Sequence, residues 1–269
     1  MQIIEKPLTA KGMAGPYLKG LLKSPDPAAG RTKLPAIIII PGGAYTHIPV
    51  EQTETMALAF ANQGFQSFYL RYSFMDEAQP LMPQPLIELA KAVQLLHQNA
   101  NEWQLDSNKI IIAGFSVGGH IVGLYNDYWD SAWLTKATGF GADELKINAA
   151  IMGYPVVSPK LGFPKDAATV QKWADDPDFI AADEQVTATN APTFVWTTLD
   201  DNVVPSANAL AYVEALKTAG ISVESHLFRH GPHGLALANQ QTGNDSETVN
   251  PHVGHWFELA TEWLTDILD

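Results

Sequence analysis

The sequence KIIIAGFSVGGH, at residues 109–120, decides the fold of this chain. An apolar, β-branched run at residues 110–112 leads into a Gly-x-Ser-x-Gly motif whose serine is Ser116. Such a run is typical of a buried strand, and the residues after the motif can begin a helix. The stretch therefore predicts a strand, a sharp turn and a helix, with Ser116 at the tip of the turn. Gly114 and Gly118 would let the strand and the helix approach closely around this serine.

A second apolar run, at residues 34–40, ends in a glycine loop. The run is continuous and rich in isoleucine, which is typical of a strand buried on both faces. The loop that follows is Pro41-Gly42-Gly43-Ala44-Tyr45. Glycines just past a central strand allow backbone N–H groups to point into a cleft, as a developing oxyanion requires. From the loop alone, an ordinary strand-to-helix turn is an equally good interpretation.

Strands and helices alternate along the chain, which predicts a mostly parallel sheet with helices on both faces. Further strands are expected at residues 65–72, 147–155, 191–199 and 223–228, and helices at residues 51–63, 86–103, 206–219 and 253–268. Residues 1–33 predict one or two antiparallel edge strands joined by a turn at residues 24–27. Residues 106–109 predict a turn before the strand that leads to Ser116.

No linker divides the 269 residues, so we expect one α/β domain over residues 1–269. Residues 156–190 lack clean periodicity, and a stretch of this length between strands is usually a lid or a packing appendage. We interpret it as a lid or cap insertion.

Charge and composition exclude several function classes. The formal net charge of −13 argues against nucleic acid or an anionic membrane as a partner. The absence of cysteine excludes disulfides and thiolate chemistry. The first residues lack the pattern of a signal peptide, and no apolar run approaches the roughly 18 residues of a membrane span, so the expected location is cytoplasmic.

Three residues suited to nucleophilic catalysis follow the ends of predicted parallel strands. They are Ser116, Asp201 and His233, in this chain order. The carboxyl ends of parallel strands share one edge of the sheet, so these side chains can converge in one crevice. The order of serine, acid and histidine is that of the α/β-hydrolases.

The chain resembles the α/β-hydrolases, and more narrowly the small acetyl-xylan-esterase-like and hormone-sensitive-lipase-like carboxylesterases. Four motifs over residues 34–269 carry the resemblance: the glycine loop, the Gly-x-Ser-x-Gly turn, Asp201-Asn-Val-Val-Pro205 and Gly231-Pro-His-Gly234. Pro41 and Ala44 depart from the family's His-Gly-Gly-Gly-aromatic loop. The acid motif places its carboxylate four residues before the proline, at Asp201, which leaves Asp200 as a solvated or loop-capping carboxylate.

The resemblance implies a serine esterase of the α/β-hydrolase fold acting on short-chain acyl esters, among them O-acetylated carbohydrates. Ser116 would be the nucleophile, His233 the general base and acid, and Asp201 the residue that orients the imidazole. The oxyanion hole would consist of the N–H groups of Gly43, Ala44 and Val117. Candidates for substrate contact are Tyr45, His47 and Tyr154.

Other readings of the sequence remain open. His230 and His233, like His252 and His255, are spaced three apart, but no metallohydrolase motif accompanies them, so neither a metal nor a cofactor is expected. We interpret His120 as a buried, hydrogen-bonded histidine. The same triad would also suit an amidase, such as an arylformamidase or a small peptidase, and the fold could instead serve a non-catalytic binding protein. Association into a homo-oligomer is a further expectation from the family.

Overall fold

The described part of the chain, residues 1–10 and 12–268 of a computed structural model, contains one eight-stranded sheet. The strands are β1 (Gln2–Pro7), β2 (Tyr17–Leu22), β3 (Leu34–Ile40), β4 (Gln66–Arg71), β5 (Leu105–Phe115), β6 (Ala149–Gly153), β7 (Thr193–Thr198) and β8 (Val223–Phe228). Their order across the sheet is β1-β2-β4-β3-β5-β6-β7-β8. Strands β3 to β8 pair in parallel, whereas β2 is antiparallel to both β1 and β4. The predicted mostly parallel sheet is confirmed.

Helices cover both faces of this sheet. They are α1 (Val50–Asn62), α2 (Gln84–Gln98), α3 (Val117–Tyr128), α4 (Ala132–Thr138), α5 (Ala142–Leu145), α6 (Ala167–Trp173), α7 (Ala207–Thr218), α8 (Pro251–Gly254) and α9 (Trp256–Leu268). Buried side chains of α2, α3 and α7 belong to one core, and those of α1 and α9 belong to the other. None of the helices in the described ranges has both the length and the apolar character needed to cross a bilayer.

The isoleucine run of β3 shows why the strand sequence is continuously apolar. Successive side chains of a strand point to opposite faces, so Ile38 and Ile40 pack in one core while Ile37 and Ile39 pack in the other. All four are fully buried. Because both faces of this central strand are covered, each of its positions favours an apolar residue. The edge strand β8 differs, since buried and exposed positions mix along it.

Some boundaries differ from those predicted. The N–H of Leu8 donates to the carbonyl of Pro16 at 2.9 Å where β1 and β2 pair, and the predicted turn at residues 24–27 instead lies between β2 and β3. Residues 106–109 fall within β5, which starts at Leu105, but the register shifts there, between the pairs Leu34–Leu105 and Ala36–Ile110. The N–H of Asn108 donates to Asp106 Oδ1 at 3.0 Å, so the predicted turn is present as an irregularity inside the strand. Helix α2 ends at Gln98, earlier than predicted, and the last predicted helix is divided at His255.

The loops that carry the candidate residues all lie at one edge of the sheet. The glycine loop follows β3, Ser116 follows β5, Asp201 follows β7 and His233 follows β8. Because these strands are parallel neighbours or near neighbours, their carboxyl ends bring together residues that are far apart in sequence.

Candidate active site

Ser116 stands at the turn between β5 and α3 in a conformation that is unusual for a residue with a side chain. Its φ is 57° and its ψ is −123°, and its side chain makes no capping bond to the helix that follows. Its N–H donates to the carbonyl of Gly153 at 3.1 Å, and its own carbonyl accepts from the N–H of Val156 at 3.1 Å. These bonds to neighbouring segments hold the strained backbone, so Oγ remains available for chemistry.

The two glycines of the motif are required for space. A Cβ on Gly114 would collide with the carbonyl oxygen of Gly118, and a Cβ on Gly118 would collide with the carbonyl oxygen of Ile40. The strand, the helix and β3 are therefore in backbone contact around the serine. The predicted close approach of strand and helix is confirmed.

The structure brings Ser116, His233 and Asp201 into one hydrogen-bonded chain. His233 Nε2 lies 2.8 Å from Ser116 Oγ, and His233 Nδ1 lies 2.7 Å from Asp201 Oδ2. The other carboxylate oxygen of Asp201 accepts from the N–H groups of Val203 and Val204, each at 2.9 Å. The Asp201 side chain is fully buried and that of His233 is 15% exposed. With Asp201 accepting at Nδ1, Nε2 of a neutral imidazole is free to accept the serine proton.

Tyr154 supports the imidazole from the side. Its ring lies edge-on to that of His233, with centroids 4.9 Å apart, and its hydroxyl accepts from the N–H of Ala236 at 3.1 Å. The residue is only 4% exposed. The prediction that Tyr154 contacts substrate does not fit this position, because its side chain is buried and its contacts are with His233 and the backbone of Ala236.

Asp200 lies beside the site and engages a different histidine. Its Oδ2 lies 2.8 Å from His230 Nδ1, and its Oδ1 accepts from the N–H of Gly231 at 2.9 Å. The hydrogen bond with His230 lowers the pKa of Asp200 below its ordinary value, and the bond from Gly231 lowers it further by a smaller amount. Asp200 therefore caps the loop that carries His233, which confirms the loop-capping interpretation.

The glycine loop passes directly beside the nucleophile. A Cβ on Gly42 would lie 3.0 Å from Ser116 Cβ. Gly43 has a φ of 123°, and a Cβ there would collide with the carbonyl of His47. Ala44 has a φ of 52°, in the left-handed region that the third glycine of the family's loop would adopt without strain.

Val117, the remaining residue predicted to donate to an oxyanion, directly follows Ser116. It is the first residue of α3, so its N–H has no acceptor within the helix. The N–H lies at the positive end of the helix dipole, next to the nucleophile. The glycine loop and the start of α3 thus lie on either side of Ser116.

Tyr45 is the last residue of the glycine loop, and its side chain packs into the protein interior. Its side chain is fully buried, and its hydroxyl lies 2.9 Å from His120 Nδ1. Its ring packs edge-on against Trp173, with centroids 4.8 Å apart. The prediction that Tyr45 contacts substrate is therefore corrected to a supporting position. His47 is exposed at the loop, where its Nδ1 lies 3.0 Å from Thr46 Oγ1.

His120 is fully buried and hydrogen-bonded at both ring nitrogens, as predicted. Nε2 lies 2.7 Å from the carbonyl oxygen of Ile180, opposite the bond to Tyr45. Burial lowers the pKa of this imidazole to about 4, from an ordinary value of 6.5. His120 is therefore neutral near pH 7.

Tyr72 also supports the glycine loop, and sequence reasoning did not identify it. Its buried hydroxyl donates to the carbonyl of Pro41 at 2.9 Å and lies 3.4 Å from the carbonyl of Gly42. Tyr72 is the last residue of a predicted strand, but no sequence motif indicates that it contacts the glycine loop.

The insertion at residues 156–190 packs against the helix that carries Ser116. Trp173 is 1% exposed and its ring lies 5.7 Å from that of His120. Phe179 stacks on Tyr128 of α3 with centroids 5.0 Å apart. These contacts hold the segment against α3, and its role as a lid or cap stays a prediction.

Comparison with known proteins identifies similar chains of esterase type. The BD-FAE family model matches residues 25–216. The carboxylesterase Cest-2923 from Lactobacillus plantarum WCFS1 superposes with a TM-score of 0.91 at 29% identity, over 99% of this chain and 98% of that one. A provisionally named carboxylesterase from the same organism is 49% identical, with a TM-score of 0.81 over 99% and 98% of the two chains. The predicted α/β-hydrolase fold and the resemblance to its esterases are confirmed.

Curated relatives are longer than this chain. The acetylxylan esterase of Xylanibacter ruminicola is 23% identical over 259 residues, which cover 90% of this chain and 45% of that protein. This chain spans between about a third and a half of the length of the curated relatives it matches.

Proposed function

Because the chain belongs to the BD-FAE family, we propose that it is a serine carboxylesterase that hydrolyses short-chain acyl esters, including O-acetyl groups on carbohydrates. One observation carries the proposal above all others. Ser116, His233 and Asp201 form a continuous hydrogen-bonded chain beside a glycine loop at the carboxyl edge of the sheet.

The roles of the three residues follow from their contacts. Ser116 Oγ attacks the ester carbonyl while His233 Nε2 takes its proton, and the same imidazole then protonates the departing alcohol. Asp201 keeps the proton on Nδ1 and stabilises the imidazolium that forms. A water molecule, activated by His233, then releases the acid from the acyl-enzyme and regenerates the serine.

The oxyanion of each tetrahedral intermediate requires donors next to Ser116. The N–H groups of Gly43, Ala44 and Val117 are proposed to supply them, since the loop and the helix terminus lie on either side of the nucleophile. Loss of one such donor typically costs on the order of 10²–10³ in rate.

The acetyl and carbohydrate part of the proposal draws on the relatives. The Xylanibacter ruminicola protein is named an acetylxylan esterase. The net charge of −13 also favours a neutral ester over nucleic acid or an anionic membrane. We further propose that residues 1–269 act as one hydrolase domain, with residues 156–190 as a cap over the site.

The first test is the rate of hydrolysis of p-nitrophenyl esters from acetate to decanoate. We expect a steep preference for acetate, loss of turnover in Ser116→Ala and His233→Ala, and normal turnover in Ser107→Ala, a control at the other end of β5. Full activity in Ser116→Ala would refute the proposal. Acetylated xylo-oligosaccharides then test the carbohydrate substrate, and sedimentation tests self-association.

Amides and a covalent probe separate the alternatives. An aryl formamide or a peptide amide that is cleaved much faster than the acetate ester would indicate an amidase. Labelling of Ser116 by a fluorophosphonate is expected, because the probe needs a nucleophilic serine. Failure to label, together with no turnover of any ester, would favour a non-catalytic binding protein.

A further inference from the structure

The glycine loop has a backbone that needs external support. Ala44 and Tyr45 are consecutive residues with side chains, and both have positive φ, at 52° and 61°. Non-glycine residues stay in this region only where surrounding contacts hold them. Two of the three N–H groups proposed for the oxyanion hole, those of Gly43 and Ala44, belong to this part of the loop. What holds Tyr45 therefore determines where those groups point.

The Tyr45 hydroxyl is held by His120 in a fixed direction. The carbonyl oxygen of Ile180, 2.7 Å from His120 Nε2, can only accept, so the imidazole proton is on Nε2. Nδ1 then carries the lone pair and accepts the hydroxyl proton of Tyr45 at 2.9 Å. Burial keeps the ring uncharged, so this tautomer is the one present at neutral pH.

This bond joins the loop to the element that carries the nucleophile. His120 lies one turn after Ser116 on α3, and its N–H donates to the Ser116 carbonyl at 3.3 Å. On its other side, His120 binds the insertion through Ile180. The loop, the nucleophile helix and the insertion thus meet at a single imidazole.

We propose that His120 and Tyr45 are positioning residues, whose hydrogen bond sets the distance between the oxyanion donors of the glycine loop and Ser116. Neither side chain touches the substrate, since both are fully buried. The proposal rests on the proposed esterase function. In this proposal, the hydrogen bond between Tyr45 and His120 affects the rate of catalysis as well as the stability of the fold.

Two substitutions break the link and one preserves it. Tyr45→Phe removes only the hydroxyl, and His120→Gln keeps a donor near Ile180 but places no acceptor at the Nδ1 position. His120→Asn does the opposite, because its Oδ1 lies near the former Nδ1 and can accept from Tyr45. The Asn variant is therefore the conservative one for this purpose.

Tyr125→Phe is the matched control. Tyr125 is a fully buried tyrosine of the same helix, and its hydroxyl donates to the carbonyl of Leu145 at 2.8 Å, away from the loop. Its loss should lower the melting temperature about as much as the loss of the Tyr45 hydroxyl, with kcat within about twofold of wild type.

With p-nitrophenyl acetate, we expect kcat to fall about 10- to 100-fold in Tyr45→Phe and His120→Gln, because displaced donors weaken transition-state binding. KM should stay within about threefold, since ground-state binding does not use these donors. His120→Asn should recover most of kcat. If Tyr45→Phe and His120→Gln resemble Tyr125→Phe, with lower melting temperatures and normal kcat, the two residues are merely structural and the proposal is wrong.

A second readout separates this proposal from the proposed function. Fluorophosphonate labelling of Ser116 also builds negative charge on an oxygen in the oxyanion hole, and it needs no natural substrate. If wild type turns over no ester but is labelled, the esterase assignment fails. In that case, slower labelling of Tyr45→Phe and His120→Gln than of Tyr125→Phe still supports the proposal that Tyr45 and His120 position the oxyanion donors. Equal labelling rates in all four proteins, or no labelling of wild type, would overturn it.

Discussion

His233 Nδ1 lies 2.7 Å from Oδ2 of Asp201, and no part of that aspartate side chain is exposed. The adjacent Asp200 makes a contact of nearly the same length, 2.8 Å, with His230, but both of those side chains are more than half exposed. Two neighbouring acids thus bind two histidines three positions apart. Only the buried pair leads on to Ser116.

Asp201→Asn is expected to reduce kcat by about 10⁴-fold, because an amide favours the wrong imidazole tautomer. Asp200→Asn is its matched control and should cost less than about tenfold, since exposed pairs contribute little. The measurement is kcat for p-nitrophenyl acetate, with circular dichroism to check folding. A larger loss in Asp200→Asn than in Asp201→Asn would reverse the assignment of the acid.

Gly42→Ala is expected to lower kcat/KM by about 10²-fold, because the new methyl group lies 3.0 Å from Ser116 Cβ and displaces the reacting atoms. The cost in unfolding free energy should be about 1–3 kcal/mol, as for other overpacked sites. Gly141→Ala is the control, since its methyl group would meet only Glu144 Oε2, at 3.8 Å. Normal activity in Gly42→Ala would show that the loop has more room beside the serine than the structure indicates.

His120 makes stability depend on pH in the acid range. Its pKa is about 4 in the folded protein, where burial lowers it, against an ordinary value of 6.5, so between these values the unfolded state binds the extra proton. Stability should therefore fall by about 1.4 kcal/mol per unit as pH drops through this window. Urea unfolding at pH 4–8 should show a shallower fall for His120→Asn than for wild type. The exposed His255→Asn serves as control, and an unchanged slope in His120→Asn would contradict the expectation.

Asp127 should have the opposite effect. Its buried carboxyl has a pKa raised well above the ordinary 3.8, chiefly by burial and despite bonds from Asn190 and Tyr212. Between pH 3.8 and the raised pKa of the folded protein, the folded state holds a proton that the unfolded state has released, so stability declines with rising pH in this window, by up to about 1.4 kcal/mol per unit.

Asp127→Asn removes this titration, and its unfolding free energy should decline less steeply above pH 4 than that of wild type. Chemical unfolding between pH 4 and pH 9 measures the two slopes, with the exposed Asp130→Asn as control. Parallel curves for wild type and Asp127→Asn would show that Asp127 is ionised in the folded protein.

The sequence predicted those parts of the molecule whose signal is local. The isoleucine run of β3 and the turn at Ser116 each depend on a few adjacent residues, and their positions agree with the structure. The convergence of Ser116, Asp201 and His233 could be expected because parallel strands share an edge.

The errors arose where tertiary contacts override local preference. Asp106 and Asn108 favour turns and do form a local turn bond, but pairing of Leu105 with Leu34 places the start of β5 before them. Tyr45, in the predicted glycine loop, and Tyr154, near the end of a predicted strand, were expected to contact substrate. Both side chains are buried against aromatic neighbours that no periodicity predicts, Trp173 for Tyr45 and Trp196 for Tyr154.

Ser116 and His233 are separated by 117 positions, although their side chains are in contact. The strands between them pair in parallel, so each pairing needs a crossover connection before it can form. Contacts of such long sequence separation form slowly. A nascent chain that extends past Asp201 but not yet to β8 contains Ser116 and Asp201 but lacks His233. The proposed triad can therefore form only when the chain is complete as far as the loop after β8.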